Sequence, residues 1–250
     1  MGVSSEAVLE ANGVSKHYGA VTALDNVDFT IRSGEIVAVV GDNGAGKSTL
    51  VKVLSGAIHP DAGEIRLEGQ PVSWTGPRAA RDAGIETVYQ ELALAPNLDV
   101  VSNIFLGREM LAPGPLALLR VLNRDEMRRR ALSQLTTLQV NLPRIVGMPV
   151  RRMSGGQRQA VAIARSAFWA SKVMFMDEPT AALGVRESAA VLRLARRVAD
   201  HGVAIVMVSH VLSHVMEIAD RVVVMRHGRK VGDMRDVKHT SEIVALIVGG

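Results

Sequence analysis

The segment Ile36–Ser48, IVAVVGDNGAGKS, decides the fold of this chain. It opens with five consecutive apolar residues, Ile36–Val40, which is typical of a strand covered on both faces of a sheet. Gly41–Ser48 then matches the pattern G-x-x-x-x-G-K-[ST], and the sequence predicts a helix over Lys47–Leu54. A strand, a glycine-rich turn and a helix in this order predict a loop that binds phosphate.

The residue types of this loop are the ones that phosphate binding requires. Glycines let successive backbone N–H groups point at anionic oxygens, and the N-terminus of the following helix adds partial positive charge. Lys47 supplies a compact charge for the β- and γ-phosphates, and Ser48 offers a hydroxyl to Mg²⁺. The alternative interpretation is a structural glycine-rich turn whose lysine is merely exposed.

Buried strands alternate with helices along much of the chain. Apolar runs like Ile36–Val40 recur at Ile85–Tyr89, Val173–Met176 and Val203–Val208. Segments with helical periodicity, including Glu187–Ala199, separate them. This alternation predicts an α/β layer with a mainly parallel sheet.

Two regions do not show this alternation of buried strands and helices. The first thirty or so residues suggest short strands and turns, and the alternation over Val27–Ile31 predicts a half-buried antiparallel strand. Between about residues 91 and 165 the strand signal fades and five prolines separate helix-like pieces. There, Asn123 followed by Glu126 predicts an N-cap with a reciprocal acid. We expect one folding unit over 1–250, with a core and β lobe at about 1–90 and 166–250 and a helical subdomain at about 91–165.

Composition excludes several classes of protein. With 48% hydrophobic residues the chain can bury a sizeable core, and without cysteine it has no disulfide scaffold, thiolate metal site or cysteine nucleophile. The net charge of +4 comes with only 3% aromatic residues, so little is available for a base-stacking surface. The densest basic cluster, Arg124 with Arg128–Arg130, is predicted to be the solvated face of a helix. We expect no nucleic-acid partner.

The sequence also indicates where in the cell the protein resides. Its longest uninterrupted apolar runs are far shorter than the roughly 18 residues that cross a bilayer. The opening residues, MGVSSEAVLE, lack the charged and apolar regions of a signal peptide. We therefore expect a cytoplasmic protein whose attachment to a membrane is peripheral.

Two further motifs bear chemistry. Val173–Glu178 is an apolar run that ends in two acids, of which Asp177 would hold Mg²⁺ and Glu178 would polarise an attacking water. Alternatively, the two acids cap a neighbouring helix. Ser154–Gln157, which we call the signature, precedes a helix-like run and predicts a second anion site at a helix N-terminus. By itself Ser-Gly-Gly is common in turns, so the prediction of an anion site here depends on the presence of the other motifs.

In this order, the motifs resemble those of the nucleotide-binding subunit of an ATP-binding cassette (ABC) transporter, over nearly the whole chain. The resemblance implies an α/β P-loop NTPase core with a mainly parallel sheet, an N-terminal antiparallel β subdomain and an inserted helical subdomain. It also implies that ATP and Mg²⁺ bind.

The resemblance assigns a role to each matching residue. It gives ATP contacts to Tyr18, Gly41, Asn43, Gly44, Ala45, Gly46, Lys47, Ser48 and Thr49, and to Ser154, Gly155, Gly156 and Gln157 of the signature. Tyr18 would stack on adenine. The catalytic residues would be Glu178, His210 and the Q-loop glutamine Gln90, and the Mg²⁺ ligands Ser48, Gln90 and Asp177.

Some positions depart from the family pattern. Met153 precedes the signature where leucine is usual. In the D-loop (the segment that follows Glu178), Ala181 and Gly184 stand where serine and aspartate are common.

The stretches Gln90–Glu109 and Glu178–Glu187 resemble those of importers for monosaccharides such as ribose, xylose, galactose or fructose. Many of those importers carry two cassettes in one chain, whereas this chain carries one.

The resemblance implies partners as well. One phosphate loop and one signature imply a head-to-tail dimer, with itself or with a related cassette, that encloses two ATP molecules. The other partners would be transmembrane permease subunits and, indirectly, a periplasmic sugar-binding protein, at the inner face of the cell membrane. Among transporters, the alternatives are amino-acid, lipid or metal systems.

Two alternatives lie outside transport. The first is an ABC ATPase of DNA repair, chromosome organisation or ribosomes, but the coiled-coil arms, zinc-binding insertions or second cassette usual in those proteins are not visible in the sequence. The second is a binding module with an inactive ATPase site, against which the presence of Lys47 and Glu178 argues.

Overall fold

The computed structural model describes residues 7–114, 118–140 and 146–249. The first six residues, on which part of the argument against a leader peptide rests, lie outside these ranges. Two sheets and a group of helices make up the described part of the chain.

The larger sheet lies at the centre of the fold. Its strands are β3 (Ile36–Val40), β6 (Ile85–Val88), β7 (Val173–Asp177), β8 (Ala204–Val208), β9 (Arg221–Arg226) and β10 (Arg229–Arg235). They are ordered β10-β9-β3-β8-β7-β6, and all run parallel except β10, which pairs antiparallel with β9. The mainly parallel sheet is confirmed, and the four predicted buried strands all belong to it, within one residue at each end.

The smaller sheet is antiparallel, as predicted for the N-terminal region. It comprises β1 (Ala7–Tyr18), β2 (Val21–Arg32), β4 (Ala62–Leu67) and β5 (Gln70–Val72), in the order β2-β1-β4-β5. Val27, Phe29 and Ile31 are buried in alternation along β2, which confirms the half-buried strand.

The expectation of short strands in this region is wrong, because β1 and β2 each run for 12 residues. The β1–β2 pairing shifts register between Ala11 and Val14, on either side of Gly13, whose φ is 61°. These irregularities interrupt the period-2 pattern, so one long strand looks in the sequence like several short ones.

The helices are α1 (Lys47–Leu54), α2 (Pro77–Asp82), α3 (Val100–Ile104), α4 (Arg124–Thr137), α5 (Gly155–Trp169), α6 (Val185–Asp200), α7 (Leu212–Ile218) and α8 (Thr240–Val248), with a short 3₁₀ turn at Val150–Arg152. The prediction for α1 is confirmed at both ends. The expected C-terminal boundary of the helical subdomain, residue 165, falls inside α5.

The predicted cap of α4 forms in one direction only. The Glu126 N–H donates to Asn123 Oδ1 at 3.2 Å. The reciprocal bond is wrong, because the Asn123 N–H donates to Met110 O at 2.7 Å and the Glu126 carboxylate pairs with Arg129 and Arg130. The basic cluster on α4 is exposed, as expected.

The core explains why β3 is apolar throughout. Val37 and Val39 face the hydrophobic cluster between the two sheets and α1, whereas Ile36, Ala38 and Val40 face the cluster on the other side, with α6. All five β3 residues are fully buried. Helices α3, α4 and α5 enclose a separate third cluster around Phe105. The phosphate loop therefore leaves the sheet from its most deeply buried strand.

Candidate active site

The phosphate loop connects β3 to α1, and close backbone approaches fix two of its glycines. A Cβ on Gly41 (φ 147°) would lie 2.1 Å from Met225 O. A Cβ on Gly46 (φ 101°), the N-cap of α1, would lie 2.6 Å from Ala23 O. Gly44 (φ 80°) has open space at its Cβ position. Close contacts thus require the first two glycines, whereas the third is favoured by its positive φ alone among the described residues.

Lys47 is held inside this loop. Its Nζ donates to Gly41 O at 2.8 Å and to Asp42 O at 2.9 Å, and the side chain is buried. Burial lowers the pKa of Lys47, partly offset by the negative charges of Glu178, Asp42 and Asp177. The alternative of a merely exposed lysine is therefore wrong.

Two acids end β7 beside this loop. Burial raises the pKa of Asp177 and the charge of Glu178 raises it further, against the lowering effect of Lys52 and Lys47. Glu178 has a left-handed backbone (φ 50°), and its Oε2 is buried without a hydrogen-bond partner among the described residues. An unsatisfied buried oxygen costs free energy, so this one is suited to accept a hydrogen bond from a ligand.

His210 contacts Glu178 directly. It follows β8, the strand next to β7, and its Nδ1 lies 2.8 Å from Glu178 Oε1. The imidazole is exposed, whereas the carboxylate is mostly buried. The structure therefore brings together Lys47, Asp177, Glu178 and His210 from three separate parts of the sequence.

The signature segment begins α5 with a complete capping box. The Gln157 N–H donates to Ser154 Oγ at 3.3 Å, and the Ser154 N–H donates to Gln157 Oε1 at 2.9 Å. A Cβ on Gly156 would lie 2.9 Å from the Cβ and 2.6 Å from the Cγ of Glu187, at the start of α6. Gly156 is therefore needed for the packing of α5 against α6.

The signature and the phosphate loop lie on different elements, at the start of α5 and between β3 and α1. A cavity of about 380 Å³ beside the signature is lined by Ser154, Gly156, Gln157 and residues of α6, and its lining includes no residue of Gly41–Thr49.

Tyr18 ends β1 with its ring half exposed, and the Lys16 Nζ lies 5.9 Å from the ring centroid. Gln90 follows β6 and is exposed.

A cleft separates β6 from α5 next to Gln90. We call it the Q-loop cleft; its volume is about 260 Å³, and its lining includes Arg81, Glu86, Tyr89, Leu92, Ala93 and Arg165. A second cavity of about 270 Å³, which we include in the Q-loop cleft, continues it past Arg78, Asp82, Arg108 and Trp169.

Several charged side chains line the two cavities of this cleft. Burial raises the pKa of Glu86, although Arg108 lies 3.0 Å away. Burial also lowers the pKa of Arg165, whose Nη1 donates to Ala93 O at 2.8 Å. Sequence reasoning missed Arg165, because no local pattern shows that α5 reaches the segment after Gln90.

The residues of the site fit a Mg²⁺ ion that is bound together with a nucleotide. Among the described residues, no group of three or more His, Cys, Asp or Glu side chains could hold a metal by itself. Mg²⁺ keeps few protein ligands and takes phosphate oxygens readily, so a hydroxyl and one carboxylate suffice. The candidates are Ser48, at the start of α1, Asp177, with its raised pKa, and the exposed Gln90 after β6.

Comparison with known proteins gives the family. The family model described as ABC transporter matches residues 24–181. The fructose import ATP-binding protein FrcA of Rhizobium meliloti is 49% identical, over 99% of this chain and 96% of its own length. The xylose/arabinose import ATP-binding protein XylG of Sulfolobus acidocaldarius is 45% identical, over 89% and 86%. The ribose import ATP-binding protein RbsA of Rhodopirellula baltica is 41% identical, and the chain spans 47% of its length.

Solved structures agree on the fold. A nucleotide-free ATP-binding cassette from an ABC transporter superposes with a TM-score of 0.84 at 24% identity, over 96% of each chain. The ADP conformation of another such cassette gives a TM-score of 0.82 at 25% identity, over 98% of this chain and 96% of that one. In the described part of the protein, no helix is both long enough and apolar enough to cross a membrane. From these matches, the chain belongs to the ABC transporter family and is one of its ATP-hydrolysing subunits.

Proposed function

We propose that this chain hydrolyses ATP to power the import of a monosaccharide through a transmembrane permease. The observation that carries the hydrolytic part is the meeting of Lys47, Glu178 and His210 at the carboxyl ends of β3, β7 and β8. The sugar is inferred from FrcA and XylG, which match this chain over most of their own length.

Binding of ATP begins with the loop and Lys47. The Lys47 ammonium exchanges two neutral carbonyl acceptors, Gly41 O and Asp42 O, for anionic phosphate oxygens, which form stronger hydrogen bonds. The backbone of Gly41–Thr49 and the N-terminus of α1 add further donors, and Tyr18 offers an exposed ring for adenine. Mg²⁺ held by Ser48, Asp177 and Gln90 would neutralise charge on the phosphates.

Glu178 is the proposed general base. Its unpaired Oε2 accepts a hydrogen bond from the attacking water, while Oε1 stays with His210. His210, exposed beside the carboxylate, holds the γ-phosphate, and Gln90 orients the water and the metal. The protein thus acts by position and charge, which is the main contribution in phosphoryl transfer.

Two copies, or one copy and a related cassette, complete the ATP sites. Ser154, Gly155, Gly156 and Gln157 would contact the ATP bound by the phosphate loop of the opposite subunit. The sequence has one phosphate loop, between β3 and α1, and one signature, at the start of α5, which supports this head-to-tail arrangement. The γ-phosphate then bridges the two subunits, and its hydrolysis lets them separate.

The Q-loop cleft is the proposed docking site of the permease, at the inner face of the membrane. Its two cavities are lined by four arginines, Arg78, Arg81, Arg108 and Arg165, against only two carboxylates, Asp82 and Glu86. This excess of positive charge fits a cytoplasmic helix that presents an acidic residue. Because Arg165 holds Ala93, docking there would move the segment that follows Gln90.

The test uses the chain with its permease in proteoliposomes. The permease and a periplasmic binding protein are taken from the reading frames beside its gene. We expect ATP hydrolysis to rise about fivefold or more when the binding protein carries a monosaccharide, and not when glutamine is supplied instead. Sugar uptake should require active Glu178. Stimulation by an amino acid alone, or uptake that survives Glu178→Gln, would contradict the proposal.

A further inference from the structure

A second histidine contacts the turn that carries Glu178. His214, in α7, has its Nδ1 3.0 Å from Thr180 Oγ1. The threonine is buried, and the imidazole is partly buried. Two histidines four residues apart therefore contact the two residues on either side of Pro179: His210 contacts Glu178, and His214 contacts Thr180.

We propose that His214 is a positioning residue for hydrolysis, whose hydrogen bond to Thr180 holds α7 against the Glu178 turn and so keeps His210 beside Glu178. The inference rests on the proposed function, in which Glu178 and His210 act on the γ-phosphate.

The length and packing of α7 are the first reason for this proposal. This helix has only seven residues: Val215 and Ile218 are buried, and Leu212 and Met216 are partly buried and pack against the same core cluster. It begins two residues after His210, which is itself exposed. The position of α7 therefore determines where the His210 ring lies, and a directional hydrogen bond adds to this packing a contact with the turn that carries Glu178.

The other partner is a rigid turn. The Ala181 N–H donates to Glu178 O at 3.1 Å, and the Leu183 N–H donates to Thr180 O at 3.3 Å. Between Pro179 and Gly184, threonine is the only residue with a polar side chain, because alanine and glycine occupy the D-loop positions where serine and aspartate are common. Thr180 is therefore the one side chain of this turn that can form a hydrogen bond to α7.

The first test compares variants of the full-length chain. Thr180→Val keeps the shape and removes the hydroxyl, whereas Thr180→Ser keeps the hydroxyl. We expect Thr180→Val and His214→Leu to lower kcat about tenfold with KM for ATP nearly unchanged. Thr180→Ser and His214→Asn, whose amide can occupy the place of Nδ1, should restore most of the rate. The double variant Thr180→Val/His214→Leu should be no slower than either single one.

A second readout does not depend on hydrolysis. In nucleotide-free protein labelled with ¹⁵N-histidine, Thr180→Val should move the ring resonances of His210, and Thr180→Ser should leave them in place. If wild-type protein hydrolyses ATP and Thr180→Val matches its kcat, the positioning role is wrong while the proposed function stands. If wild-type protein is inactive, the proposed function fails, and an unmoved His210 resonance in Thr180→Val would then show separately that the Thr180–His214 bond does not position His210.

Discussion

His210 Nδ1 lies 2.8 Å from Glu178 Oε1, although the two residues leave the sheet from different strands. The strands β7 and β8 are hydrogen-bonded neighbours with Asp177 level with Val208, so the residues that follow them emerge side by side. One carboxylate oxygen of Glu178 is engaged by the imidazole, and the other has no partner among the described residues. A carboxylate with one fixed and one unpaired buried oxygen is oriented to accept a proton.

Replacing Glu178 with glutamine tests this assignment. Glutamine keeps the size of the side chain but cannot take a proton from water, so turnover should fall by about 10²- to 10⁴-fold while ATP still binds. The variant should also accumulate as an ATP-bound dimer, measured by light scattering. Glu68→Gln, at a surface carboxylate that pairs with Lys172, is the matched control and should leave both rate and mass unchanged. Wild-type turnover in Glu178→Gln would remove Glu178 as the base.

Replacing Lys47 with alanine tests the phosphate loop. The variant loses a charged donor at the phosphates, so ATP affinity should fall by about 10- to 100-fold, corresponding to roughly 1.5–3 kcal/mol for hydrogen bonds to charged groups. Calorimetric titration with ATP measures this. Lys172→Ala removes the same charge on the surface, and its affinity should stay at the wild-type value. Equal affinities in the two variants would count against the loop as the phosphate site.

The sequence predicts the part of the site that local pattern specifies. The five apolar residues of β3 and the glycines after them define strand, loop and helix without any long-range information, and α1 has both predicted ends. The capping box of the signature is equally local, since Ser154 and Gln157 match its pattern, but we predict only an anion site there. The acceptors of Lys47, by contrast, are backbone carbonyls whose direction depends on the fold of the loop.

Contacts between distant segments could not be predicted in this way. The meeting of Glu178 and His210 requires β7 and β8 to be neighbours, an order that the crossover helices determine. The reciprocal cap at Glu126 failed because arginines one helical turn away compete for its carboxylate. His214 could have been noticed as a second histidine four residues after His210, but only the structure shows that it reaches Thr180.

An ion-pair network at the edge of the sheet should make stability depend on pH. Buried Arg221 pairs with Glu35 and with Asp233, each at 2.9 Å. Although burial raises the pKa of Asp233, hydrogen bonds from Lys230 and Arg221 outweigh it and hold the pKa below its ordinary value of 3.8. A lowered folded-state pKa stabilises the protein above the unfolded-state value and stops doing so as the pH falls through the folded-state value.

Asp233→Asn should therefore lower the free energy of unfolding by about 1 kcal/mol at neutral pH, because this carboxylate is partly exposed. The difference from wild type should shrink steadily as the pH drops below about 4. Urea unfolding monitored by circular dichroism at several pH values measures it. Asp236→Asn, at an exposed aspartate in the same region, is the control. A loss of stability that is constant with pH would show that the charge is not its cause.

The packing at the signature gives the last prediction. In Gly156→Ala, the new methyl would lie within 3 Å of the Cβ and Cγ of Glu187, so the start of α6 must shift, at about 1–3 kcal/mol. ATP hydrolysis should fall as well, because the signature would leave its place. Gly155→Ala is the matched control one residue earlier: among the residues that the structure describes, its methyl would meet only Leu183 Cδ2, at 3.6 Å, an ordinary contact. Alanine is also the better helix former, so this variant should be as stable as wild type or slightly more so. Adding Glu187→Ala to Gly156→Ala removes the Cγ contact and should recover part of the loss, whereas equal stability of the two alanine variants would show that α6 does not depend on Gly156.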